Sequence, residues 1–103
     1  MRGELMQEIF TEVKGEALTI VNSTNTAIAA QSGSLPVFGT PFMIALMEKA
    51  TCTAISDFLE GDETTVGTAI NVTHDKASGV GTVVIAYATL KETQGRKLIF
   101  DVK

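Results

Sequence analysis

The sequence predicts an α+β domain in which one long apolar helix precedes an antiparallel β-meander that wraps it. Three observations predict it. A helical stretch opens at Thr40-Pro41 and runs with few charges to Leu59. Beyond Gly61 the apolar periodicity changes from the helical repeat to two, and the later strand-like segments are separated by turn sequences at Ser78-Gly79 and Thr93-Gln94-Gly95. With 103 residues, 45% of them hydrophobic, the chain is expected to form one domain over residues 1–103. A domain this small has little core to spare, so an oligomer that shares a sheet or core, in the simplest case a homodimer, is expected.

Taken in order, Ala17-Leu18-Thr19-Ile20-Val21 has the β-branched bias of a short strand, expected to pair with Glu8–Val13 across a turn at Lys14-Gly15. The small polar stretch from Asn22 to Ser34 is connection, with Thr26–Ala30 forming a short helical turn closed by Ser32-Gly33. Thr40 is placed to cap the main helix and Pro41 to occupy its first position, where a proline loses no hydrogen bond; Gly61 marks its end. Only Glu48, Lys49 and Asp57 are charged between Pro41 and Leu59, and apolar residues cover nearly every angle, so burial on most sides is expected. The next segment is read as a strand with Val66, Thr68, Ile70, Val72 and His74 facing one way and Gly67, Ala69, Asn71 and Thr73 the other. Thr82–Leu90 and Lys97–Val102 complete the sheet, the latter alternating through Leu98, Phe100 and Val102.

Charge and composition exclude several functions. A net charge of -4 with no run of Lys or Arg lacks the footprint of a nucleic-acid binder. The single Cys52 suits a reducing compartment, and Met1–Phe10 carries Glu4, Gln7 and Glu8 where a signal peptide needs an apolar core. A cytoplasmic chain with no membrane segment is the expectation. One His and one Cys in different elements make no metal ligand set, and Gly79-Val80-Gly81 lacks the following helix that a phosphate-binding loop requires.

Three residues carry candidate chemistry. Glu48 has only Ala45, Ile44, Thr51 and Cys52 at one helical turn, so a partner must come from another element; buried, it suits acid/base or nucleophilic work, and otherwise it reaches solvent at the helix edge. His74 ends a strand at the rim of the core, a useful place for an imidazole and equally a place for a structural one. Thr40 reads as a plain cap, yet a helix N-terminus also offers amides and a positive dipole end to an oxyanion. Cys52, among Ala50, Ala54 and Ile55, is expected to be a buried core thiol, and Met43 and Met47 to fill the core.

The stretch Ser34-Leu35-Pro36-Val37-Phe38-Gly39-Thr40-Pro41-Phe42-Met43-Ile44-Ala45-Leu46-Met47-Glu48 resembles the helix start of the fluoroacetyl-CoA thioesterase-like family. Thr65-Val66-Gly67-Thr68-Ala69-Ile70-Asn71-Val72-Thr73-His74 is similar to that family's strand ending in the active-site histidine, and Gly95-Arg96-Lys97-Leu98 to its hairpin. The resemblance implies a hot-dog fold with an active site between protomers, and hydrolysis of a short or medium acyl-CoA with no bound cofactor, CoA being part of the substrate. It implies a catalytic Thr40, Glu48 and His74 and a glycine, Gly67, near the thioester carbonyl, with Phe38 and Phe42 as candidates to line the acyl pocket. It also implies one more strand than the sequence carries before Lys103. Lys76, Arg96 or Lys97 would supply the local positive charge for CoA phosphates that the overall acidity does not. The alternative is a non-catalytic hot-dog module that binds acyl-CoA or another apolar small molecule; turnover separates the two.

Overall fold

A computed structural model describes residues 13–103. Three strands, β1 (Lys14–Ile20), β2 (Val83–Gln94) and β3 (Lys97–Val102), form an antiparallel sheet in the order β1-β2-β3. A four-residue helix α1 (Ala27–Ala30) and the long helix α2 (Thr40–Ile55) lie between β1 and β2 in sequence, and α2 runs into a short 3-10 turn at Ser56–Phe58. The α+β architecture of a long helix against an antiparallel sheet is the one the sequence predicts.

The helix sits on the sheet over small residues. Along α2 the buried positions Leu46, Met47, Ala50, Ala54 and Ile55 recur at helical spacing. Beneath them lie Gly15 and Ala17 of β1 and Ala86 and Ala88 of β2, with Phe38, Val21, Phe42, Met43 and Phe100 filling the sides. At Gly15 a Cβ would overlap the backbone of Ala50 and Ala54, so the strand and helix meet main chain to main chain there. A second cluster of Val13, Ala54, Ile55 and Leu90 closes the far end with Phe58, Leu59 and Leu98.

A bulge in β2 keeps this face apolar. Leu90 is opposite Phe100 but Glu92 is opposite Ile99, so one extra residue, Lys91, shifts the alternation. Ala86, Ala88 and Leu90 face the helix, and after the bulge Thr93 turns inward opposite Leu98 while Glu92 is left exposed. Gly95, in the left-handed region at φ 62°, makes the tight connection to β3.

Several sequence expectations are corrected. Lys14-Gly15 is the beginning of β1 and not a turn, because Gly15 is needed where the helix backbone approaches; β1 pairs with β2, and residues 8–12 lie outside the described part. The αL residue that ends α1 is Gln31, ahead of Ser32-Gly33. The α-helix ends at Ile55, and it is buried on one side only, with Ala45, Glu48, Lys49, Cys52 and Thr53 exposed; an apolar composition all round gives no phase, and the sheet covers one face. Cys52 is therefore an exposed thiol. Residues 65–74, read as a strand from the sequence, form none among the described residues: the sheet ends at β3 and no backbone–backbone hydrogen bond is described for them.

Candidate active site

The start of α2 is pinned from two sides. Phe38 donates its amide to the Ser78 carbonyl at 2.8 Å and Gly39 to the Asn25 carbonyl at 2.9 Å, while Ala27 donates to the Val37 carbonyl at 2.8 Å. Gly39 lies so close to the Thr26 carbonyl that a Cβ would crowd it. The N-cap is consequently Gly39, which has no side chain to cap with, and Thr40 is the first helical residue. This corrects the expectation that Thr40 is the cap and frees its hydroxyl for another partner.

That partner is His74. Thr40 Oγ1 lies 2.7 Å from His74 Nδ1, bridging 34 residues of sequence. The expected rim position of His74 is observed: it is half-buried, with Val72 two residues earlier packed on the core. Ile70 and Val66 are exposed, so the predicted alternation is followed only near the histidine. When the hydroxyl donates to Nδ1, the neutral ring carries its proton on Nε2, the nitrogen left free for a ligand.

Backbone donors are scarce at this helix start. Phe42 and Met43 both donate to the Gly39 carbonyl at 3.0 Å and Pro41 has no N–H, which leaves the Thr40 amide as the uncommitted donor there among the described residues. Residues 65–74, with no backbone–backbone hydrogen bond described, offer others.

Glu48 and Gly67 form a second pair. Glu48 is exposed and not buried, and a Cβ on Gly67 would overlap its carboxylate Oε2, so the side chain lies directly over the glycine's Cα. Eight residues separate Glu48 from Thr40, about 12 Å along a helix axis. The structure thus brings the four residues together as two pairs, each joining the helix to residues 65–74.

Two hollows share buried Phe38 in their walls, and one of them includes the Thr40–His74 pair. One, of about 220 Å³, is bounded by Thr40, His74, Asp75 and Lys76. The other, of about 190 Å³, is mostly apolar and lies between Phe38, half-buried Phe42, Ala45 and Leu46, with Lys49 at its side. Of the three basic residues considered for phosphate, Lys76 lines one of these two hollows and the other two residues line neither; Arg96 and Lys97 are at the β2–β3 connection, beyond the far end of the twelve-residue β2. Sequence reasoning passed over Lys49 and Asp75; Asp75, which accepts from the Thr73 hydroxyl at 2.9 Å, gave no periodic signal because it lies past the end of the alternating stretch.

The sequence model for fluoroacetyl-CoA-specific thioesterases matches residues 21–103. The chain belongs to this family. A curated relative, the fluoroacetyl-CoA thioesterase of Streptantibioticus cattleyicolor, is 44% identical over 66 residues, which cover 64% of this chain and 48% of the relative. The chain thus spans about half the length of that thioesterase. Among solved structures, a phenylalanine-to-alanine variant of the fluoroacetyl-CoA-specific thioesterase FlK with fluoroacetate and CoA bound superimposes with a TM-score of 0.78 at 34% identity, over 86% of this chain and 76% of that one. A Thermus thermophilus thioesterase superfamily member gives 0.78 at 26% identity, over 86% and 66%. The hot-dog thioesterase fold implied by the sequence is therefore the fold of this chain. Among the described residues no helix is long and apolar enough to cross a membrane, and no group of three or more His, Cys, Asp or Glu could hold a metal ion.

Proposed function

We propose that this chain is an acyl-CoA thioesterase that hydrolyses a short or medium acyl-CoA to the free acid and CoA, working as a homodimer in the cytoplasm with no bound cofactor. The observation that carries the reading is the Thr40 Oγ1–His74 Nδ1 contact of 2.7 Å beside a hollow, in a member of a thioesterase family. Glu48 activates a water that attacks the thioester carbonyl, or attacks it itself to form an anhydride that water then hydrolyses to the free acid. Glu48 stands about 12 Å along α2 from the Thr40–His74 pair of its own chain, so one site combines Glu48 of one copy with His74 of the other. His74 as imidazolium donates Nδ1–H to Thr40 Oγ1 and gives its Nε2 proton to the departing CoA thiolate, which leaves a neutral ring, and the Thr40 amide or Gly67 holds the oxyanion. The apolar hollow beside Phe38 and Phe42 suits the acyl group. The homodimer is supported by the exposed flank of α2 that carries Glu48 and by the unpaired backbone of 65–74, both of which a second copy would cover.

The test is release of free thiol from a panel of acyl-CoAs. The parent is expected to release it, and a folded His74→Ala protein to do so about a hundredfold more slowly, the scale of losing a general acid. No release from any acyl-CoA by the folded parent overturns the reading and leaves a module that binds without turnover.

Gly67→Ala tests the second pair. The added methyl meets only the far end of the Glu48 side chain, which can swing away, so stability should change by less than about 1 kcal/mol. The displaced carboxylate should cost at least roughly tenfold in thiol release, since misplacing a reacting group by about an ångström is enough. Unchanged turnover would show that the Glu48–Gly67 contact has no part in the reaction.

A further inference from the structure

The face of the sheet turned away from α2 carries an apolar patch that the proposed reaction does not use. Leu18 and Ile20 of β1 are 60% and 53% exposed, and Val83, Ile85 and Tyr87 of β2 are 55%, 41% and 43% exposed. The pairing places them in rows: Ile20 beside Val83, then Leu18 beside Ile85, then Glu16 beside Tyr87. Lys103, hydrogen-bonded to Tyr87 through both backbone groups, extends the third row, and a fourth runs Lys14, Thr89, Asp101. Two apolar rows are thus followed by two rows whose outer members carry opposite charges, Glu16 against Lys103 and Lys14 against Asp101. Within one chain the charges of a row stand two strand spacings apart, about 10 Å, too far to pair.

We propose that this face is an interface with a second copy of the chain, stacked sheet on sheet about a two-fold axis running along β2. That axis lays β1 of one copy over β3 of the other and keeps each row in place. Glu16 then meets the other copy's Lys103, Lys14 meets its Asp101, Val83, Ile85 and Tyr87 stack on their own equivalents, and Leu18 and Ile20, on rows that β3 does not reach, border the other copy's Ile85 and Val83. A two-fold axis across the strands reverses the order of the rows, so it can stack the apolar rows on each other or pair the charged ones, but not both. Two sheets stack about 10 Å apart, so these side chains interdigitate as in a sandwich core. The five apolar residues expose roughly 500 Å² per copy, a size that on monomers marks interaction sites, and the charged rows bring the contact toward the roughly 800 Å² per partner of a stable interface. The interface is on the opposite side of the sheet from Glu48 and His74, so it leaves the active-site proposal independent.

Sedimentation of the full chain in low salt at one concentration tests it. The parent is expected to have twice the mass of Ile85→Lys, whatever assembly the helix side makes. Lys103→Glu should lower the mass in the same way, and the double exchange Glu16→Lys with Lys103→Glu should restore it, because the opposite charges again meet. Thiol release should be the same in all four proteins, which separates failure of this interface from failure of the thioesterase reading. Equal masses for the parent and Ile85→Lys would overturn the proposal, and so would a double exchange that stays at the lower mass. If Ile85→Lys does not fold, the two charge variants, at the exposed positions Glu16 and Lys103, decide the matter alone.

Discussion

Glu48→Gln is expected to fold like the parent and to release thiol from acyl-CoA at least a hundredfold more slowly. The first half follows from exposure: Glu48 is on the uncovered flank of α2 and makes no described salt bridge or side-chain hydrogen bond, so an isosteric amide should shift stability by less than about 0.5 kcal/mol. The second follows from chemistry. A carboxamide keeps the shape that rests on Gly67 but supplies neither a nucleophilic carboxylate nor a base, and such a loss costs roughly 10² to 10⁴ in rate. Thermal melting and thiol release on the same preparations check both halves. A Glu48→Gln protein that turns over at the parental rate would remove Glu48 from the mechanism and leave the Thr40–His74 pair to be explained without it.

How much of this was legible in the sequence differs residue by residue. The long helix and the β2–β3 hairpin could be read because their signals are local: Pro41 after Thr40, a charge-poor run, and Gly95 between alternating segments. The side of α2 that faces the sheet could not be read, since Ala45, Cys52 and Ala54 are alike in composition while only Ala54 is buried. What decides is Gly15, far away in sequence, whose missing Cβ lets the helix settle on that line. The same long-range choice turned the expected Lys14-Gly15 turn into strand. Thr40 read as the helix cap from its neighbours alone; the cap is Gly39, forced by its approach to Thr26, and the Thr40 hydroxyl is taken by His74, 34 positions on. For residues 65–74 a period of two suggested a strand that the described structure does not form, because alternation reports which way side chains would point and is silent on what lies beside them.

The largest effect on stability should come from that same glycine. Gly15→Ala inserts a methyl where the backbone nitrogen of Ala54 and the carbonyl of Ala50 already stand, and neither can rotate away as a side chain would. Relief requires moving α2 off β1, which opens gaps around Ala50, wholly buried, and around Ala17, Ala86 and Ala88. Overpacking a well-filled core costs about 1 to 3 kcal/mol, and a clash with fixed main chain belongs at or above the upper end. For a chain of this size a loss of about 3 kcal/mol should lower the melting temperature by roughly 12 to 24 °C. Gly79→Ala is the control: no atom lies within 4 Å of the added carbon there, and the change should stay below about 1 kcal/mol. Near-equal melting of the two variants would mean that α2 does not rest main chain to main chain on β1, and the one-sided burial of the helix that leaves Glu48 free would lose its physical cause.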